Sequence, residues 1–429
     1  MDSSIHFYVY RHVFILKDNR KIIRFFITLR DCNKNIIAFT DFHKYIKVGN
    51  NSKSVKVTSS GEVKFYAVCK FLNHVFFESA YKPNSLNDIT KEMVSTYLND
   101  YGLARLPGDT ETRKQTTVDV TISAVLDFLD AYILEAGKKK IYTKLKRSDL
   151  YVTEKRFSKK NRKFIFVTVP AFKVVTISKE KDIFRDIFEG AYSILMNTII
   201  EQDMDLLMLA ALSSFAGLRP SEACNVFRED SPLGEGIRFI EYNGKVDDII
   251  IDLSYERPLR SDGVSVGNIK KERMQRVYPA FLQAFMECYE KYMKHMEKRK
   301  CEVEFAPLSV NKQGKAMTYD NYYSRFKTIV DIARKKMLAD DDPKVVAFGK
   351  QLSYTNLGPH IFRHWFSVKL TLFGEDVAGL MYWRGDRSPQ SAMTYIGNKS
   401  ELVKQLEDVT SEMYDYHMWM AEKKHENRP

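Results

Sequence analysis

The segment Leu206 to Leu218, LLMLAALSSFAGL, carries no charge and only two hydroxyls. A helix that is apolar on every side has to be surrounded by other protein. The segment therefore reads as a buried helix at the centre of a larger domain. It is shorter than the roughly 20 apolar residues that a bilayer-spanning helix needs, and its two serines weaken that reading further. The chain has 429 residues, more than one core usually serves, so two or three domains are expected.

Periodicity divides the chain. Residues 1 to about 57 alternate as strands do, in IHFYVYRHVFIL and KIIRFFITLRD with KDNRK between them, and predict a small β-rich N-terminal element. From 58 to 137 the period turns helical, in EVKFYAVCKFLNHVFFESAY, TKEMVSTYLNDYG and TTVDVTISAVLDFLDAYILEAG, which predicts a compact bundle. From about 175 the pattern is again mostly helical, broken by GIRFIEYNGKVDDIIIDLSYERP, which reads as a β-hairpin. The expected boundaries are 1–57, 58–137, a basic linker at 138–174, a main domain at 175–400, and a tail at 401–429. In that tail Leu402, Leu406, Val409, Met413, Tyr416 and Met420 form a helical stripe, suited to packing on its own domain or on another copy.

Charge narrows the partner. Lys and Arg number 67 against 55 Asp and Glu, a net charge of +12, which favours a polyanion such as nucleic acid, with an anionic membrane surface as the weaker alternative. The excess is densest in KKKIYTKLKRSDLYVTEKRFSKKNRK. Its cations are Lys138, Lys139, Lys140, Lys144, Lys146, Arg147, Lys155, Arg156, Lys159, Lys160, Arg162 and Lys163, and Tyr142, Tyr151 and Phe157 are interleaved. It can be a solvated linker or a strap along a phosphate backbone, where clustered cations release counterions. Five cysteines without a CxxC pair read as reduced residues of an intracellular chain. The opening MDSSIHFYVYRHV has no secretory pattern.

Two stretches carry candidate chemistry. In GLRPSEACNV the buried helix delivers Arg219 at a junction, with Glu222 three residues on. The two are either a structural ion pair or an anion site in which Glu222 holds the guanidinium from behind. In GPHIFRHWFSVKL, His360 and Arg363 share a helix face, with His364 beside them. A metal site on His360 and His364 would need a third ligand and would place Arg363 next to the cation, so no metal is expected. Farther on, WRGDRSPQSAMTYIGNKSEL offers Tyr395, half-buried core by default and a covalent nucleophile if cations stabilise the phosphorane that forms.

Taken in order, Arg219 in GLRPSE, His360 and Arg363 in HIFRH, Gly385 and Tyr395 resemble the tyrosine recombinase (phage integrase) family over about residues 175 to 400. That family's pattern runs Arg, Lys, His-x-x-Arg, His or Trp, Tyr. The family's Gly-His pair falls on Gly385 and Asp386, so a carboxylate stands where the family has an imidazole or indole. The stretch NIKKERMQRVYP resembles the family's hairpin lysine and return strand and selects Lys270, with Lys271 as rival.

The resemblance implies a mainly α fold with small β elements (α+β), comprising a helical core-binding domain and a catalytic domain that clamp DNA. It implies a site-specific recombinase that cuts and rejoins DNA through a 3'-phosphotyrosyl link. Its catalytic set would be Arg219, Lys270, His360, Arg363, Asp386 and Tyr395, supported by Glu222 and His364. No cofactor is implied. Double-stranded DNA, a homotetramer on two DNA sites and accessory bending or directionality proteins are the implied partners, with no membrane and a cytoplasmic, DNA-associated location. Because Asp386 departs from the pattern, a DNA-binding accessory protein of the same fold with weak or lost catalysis is an alternative. A topoisomerase-like enzyme of type IB chemistry is another.

Overall fold

The computed structural model describes residues 5–17, 21–47, 59–110, 112–158, 163–174, 176, 187–299, 303–386 and 389. The chain divides into two compact units, one of residues 1–16 and 22–181 and the other of residues 17–21 and 182–429.

The first unit opens with β1 (His6–Ile15), β2 (Lys21–Arg30) and β3 (Ile36–Phe39), a sheet in that order. Alternation in KIIRFFITLR turns Ile23, Phe25 and Ile27 inward, as a sheet with one buried face requires. Asn73, the last residue of α1 (Ser59–Asn73), stitches helix to sheet: its amide oxygen accepts from Phe7 N at 2.7 Å and its amide nitrogen donates to Phe7 O at 2.9 Å. Helices α2 (Lys91–Gly102) and α3 (Gln115–Lys138) pack with α1 around Phe71, Leu72, Tyr97 and Phe128. The Thr90 hydroxyl caps α2 by accepting from Met93 N.

The stretch expected as a basic linker contains ordered structure. After one helical turn, α4 (Arg147–Leu150), the chain forms an antiparallel hairpin of β4 (Tyr151–Ser158) and β5 (Lys163–Pro170). Leu150, Phe172 and Val174 join the core of this unit.

The second unit is built around α6 (Leu207–Phe215), every residue of which is buried. It packs against α8 (Leu282–Arg299) and α11 (His360–Leu372). Burying each of its leucines contributes about 2 kcal/mol relative to exposure. The remaining helices are α5 (Glu189–Gln202), the short α7 (Pro220–Ala223), α9 (Tyr319–Leu338), α10 (Pro343–Gln351) and α12 (Val377–Arg384). Beside them lies an antiparallel sheet of β6 (Ile237–Tyr242), β7 (Lys245–Leu253) and β8 (Arg273–Arg276). The hairpin expected within residues 236–258 is β6 and β7. The whole is an α+β fold, mainly helical with small antiparallel sheets. Among the described residues no helix is long and apolar enough to cross a membrane.

Candidate active site

Three turns of chain bring a cluster of arginines together in the second unit. The first follows α6. Gly217 takes φ +63°, and the ring of Phe366 occupies the space a Cβ would need, 2.5 Å away. A side chain is excluded there on both counts. The chain then extends through Arg219, and Pro220 starts α7. Arg219 N donates to Glu222 Oε2 at 3.1 Å while Arg219 Nη1 donates to Oε1 at 3.0 Å.

The second contribution comes from β8. Directly opposed residues of an antiparallel pair share a face, and β8 sets Gln275 opposite Ile251 and Arg273 opposite Leu253. Ile251 and Leu253 are fully buried, so the register that buries them also turns Arg273 inward. Its guanidinium forks onto Glu222, Nη2 to Oε2 at 3.0 Å and Nη1 to Oε1 at 3.4 Å. Lys270 N also donates to Glu222 Oε1, at 3.3 Å, and the Lys270 side chain is exposed.

The third is the end of α12. Gly385 closes that helix at φ +63°, a left-handed cap suited to glycine. A Cβ there would clash with Arg273 Nε. Asp386 follows, and its Oδ1 accepts from Arg219 Nη2 at 2.6 Å and from Arg363 Nη2 at 2.8 Å. Its Oδ2 lies 3.0 Å from Arg384 Nε. Arg363, on the inner face of α11, is 3 % exposed, and its Nη1 donates to the Gly217 carbonyl.

Four guanidiniums, from Arg219, Arg273, Arg363 and Arg384, thus face two carboxylates, Glu222 and Asp386. Formal charge in the cluster is +2. Burial raises the Glu222 pKa, yet Arg273 first, then Arg219 and Arg363, outweigh it and hold the group at about 2. Burial and the like charges of Arg219 and Arg384 push Arg363 down to about 9, which leaves it charged at neutral pH. His360 opens α11 in contact with solvent. Desolvation on its protein side, then Arg363 and Arg219, pushes its pKa down to about 4, so the ring is neutral at pH 7. A buried excess of positive charge with a neutral imidazole at its rim is suited to an anion.

Of the residues singled out from the sequence, the structure brings Arg219, Glu222, Arg363, Asp386 and the Lys270 backbone into one cluster, with His360 at its edge. His364 is half-buried on α11. Tyr395, Lys159, Lys160, Arg162 and the tail stripe at 402–420 lie outside the described residues. Asp386 is engaged with the two arginines rather than standing apart from them. Lys138, Lys139, Lys140, Lys144, Lys146, Arg147, Lys155, Arg156 and Lys163 are exposed in the first unit. Several are paired, as in Lys144–Asp88 and Arg147–Asp130. Arg273 stands outside the catalytic set expected from the sequence. The inward register of β8 in the RMQRV stretch was the available signal for Arg273.

No family model matches the chain, and no curated protein matches it. Among solved structures it is similar to the XerH site-specific recombinase bound to its difH substrate in a pre-cleavage complex. The two are 16% identical with a TM-score of 0.45, over 78% of this chain and 74% of that one. It is similar to the Tn1549 transposon integrase in complex with circular intermediate DNA, at 15% identity and a TM-score of 0.45 over 81% and 90% of the two chains. The XerA recombinase is 14% identical with a TM-score of 0.33, over 84% of this chain and 92% of that one.

Proposed function

We propose that the chain is a DNA strand transferase of the site-specific recombinase type, cutting and rejoining DNA through a phosphotyrosyl intermediate on Tyr395. The observation that supports this reading is the buried, net-positive arginine cluster, because the scissile phosphate gains negative charge at its non-bridging oxygens as a nucleophile adds. Arg219 and Arg363, both held from behind, would take those oxygens and stabilise the pentavalent transition state. Glu222 fixes Arg219 from one side and Arg273 from the other, so the donors are set before substrate arrives.

Tyr395 would attack phosphorus and lose its phenolic proton, with neutral His360 as the acceptor within the cluster's edge. The bond from phosphorus to the 5'-oxygen breaks, and that oxygen takes a proton from Lys270. The product is a 3'-phosphotyrosyl ester and a free 5'-hydroxyl. Attack by a 5'-hydroxyl on the ester reverses these steps and restores the tyrosine, with the ester bond's energy retained throughout. Asp386 has a distinct part: its carboxylate sits on the same two guanidiniums, so phosphate must share them with it or displace it.

The engagement of Asp386 also favours a second reading, in which its carboxylate keeps Arg219 and Arg363 occupied and the chain binds DNA without cutting it. Covalent trapping separates the two. Nicked duplexes from the DNA flanking the gene, incubated with the protein and resolved on a denaturing gel, should give a protein–DNA adduct with wild type and none with Tyr395→Phe. Salt-sensitive DNA binding without an adduct in either would establish the second reading.

A further inference from the structure

The hairpin β4–β5 carries more apolar surface than its own packing uses. Its strands pair Thr153 with Thr168, Lys155 with Phe166 and Phe157 with Phe164, so these six residues share one face. The other face carries Ile165, Val167 and Val169, each half-buried. That is the hairpin's packed side. On the first face Phe157 is 55%, Phe164 62% and Phe166 76% exposed. Three large aromatics left in water at this level mark a contact surface.

The rings are arranged as a platform. Phe157 and Phe164 meet edge to face with centroids 5.4 Å apart, and Lys155 Nζ lies 4.9 Å from the Phe164 centroid. Among the described strand residues none on this face is a carboxylate: the acid of β4, Glu154, lies on the other side, paired with Arg156 at 2.8 Å. The face is therefore aromatic and cationic. Exposed Lys163 adds charge at the start of β5, and Lys140, Lys144, Lys146 and Arg147 are exposed elsewhere in the same unit. Bases offer π faces beside a polyanionic backbone, which complements aromatics interleaved with cations.

We propose that this face is a second DNA contact, in which Phe157, Phe164 and Phe166 stack on unpaired or splayed bases while Lys155 takes a neighbouring phosphate. The proposal takes its polyanion from the DNA-binding reading above but does not depend on strand transfer. The probe is a fluorescein-labelled duplex with a short central run of unpaired bases, compared with the fully paired duplex by anisotropy over a salt series.

Replacing Phe157, Phe164 and Phe166 together by alanine should weaken binding to the unpaired probe about tenfold or more. The salt slope should stay unchanged, because no phosphate contact is removed. Lys155→Ala should instead lower the salt slope by about one. Phe166→Tyr should retain affinity where Phe166→Leu, equally apolar but without a ring, loses it. An equal loss on paired and unpaired probes, or no loss in the triple variant with an unchanged melting curve, would overturn the stacking role. So would loss of self-association by sedimentation with DNA affinity intact, which would make the face a contact between copies. Failure of Tyr395 to form an adduct while the aromatic variants still lose affinity would sink strand transfer and leave this contact standing.

Discussion

Glu222→Gln isolates the electrostatic frame of the cluster. The carboxylate is fully buried and engages Arg219, Arg273 and the Lys270 backbone. Making it neutral raises the cluster's formal charge from +2 to +3 without removing volume. The magnitude can be approached from two sides. A pKa displaced from 4.5 to about 2 corresponds to about 3 kcal/mol of stabilisation at neutral pH. Breaking one partner out of a buried ion pair costs about 3 to 5 kcal/mol in other proteins. The two agree near 3 kcal/mol. Because the folded pKa is depressed, the stabilisation is fully present above the unfolded value and is lost as pH falls through the folded one. The difference between wild type and Glu222→Gln should therefore be largest at pH 7 and shrink by more than half at about pH 3. Urea denaturation of both proteins across that range, followed by tryptophan fluorescence, measures it. Equal midpoints at pH 7, or a difference that grows on acidification, would refute the reasoning.

Other outcomes follow from the same geometry. Asp386→Asn removes the carboxylate that competes for Arg219 and Arg363, so inorganic sulfate should bind about tenfold or more tightly by calorimetry, given the strength of hydrogen bonds to charged groups; unchanged or weaker binding would show that the carboxylate does not occupy an anion site. Gly385→Ala puts a methyl against Arg273 at a left-handed position and should destabilise the second unit by about 1 to 3 kcal/mol, read from the same urea curves. With the His360 pKa pushed down to about 4, the ring stays neutral from pH 6 to 8, so the pH profile of adduct formation should show no inflection near 6.5 that disappears in His360→Gln.

Much of the fold was legible because its signals are local. The 3.6-residue period of TTVDVTISAVLDFLDAYILEAG marks α3, the all-apolar LLMLAALSSF marks a surrounded helix, and IRFIEYNGKVDDIIIDL marks a hairpin turning at Asn243 and Gly244. The hairpin at 151–170 was obscured by its own charge. Lys155, Arg156 and Lys163 flank the turn and suggest a solvated linker or a strap along a phosphate backbone, although the alternation in FIFVTVP is present. The cluster was only partly legible for a different reason. Arg219 and Glu222 are neighbours in sequence, as are Arg384 and Asp386. Arg273 reaches Glu222 across 51 positions and Asp386 reaches Arg219 across 167, and such partners are chosen by the fold. The role of Asp386 could be posed from the sequence as an anomaly. Its contacts with Arg219 and Arg363, far from it in sequence, required the packing of α12 against α11.

The central claim is that Arg219 and Arg363 act on the charge of the scissile phosphate. It is tested most directly by measuring adduct formation for wild type, Arg219→Ala and Arg363→Ala on two substrates, one with the natural phosphate at the cleavage position and one with a neutral methylphosphonate there. On the phosphate, each substitution should slow adduct formation by about 10²-fold or more, the typical effect of removing one charge-stabilising group. On the methylphosphonate, which carries no charge to neutralise, the same substitutions should cost far less. Equal losses on both substrates, or near-normal rates for either variant on the phosphate, would contradict the account.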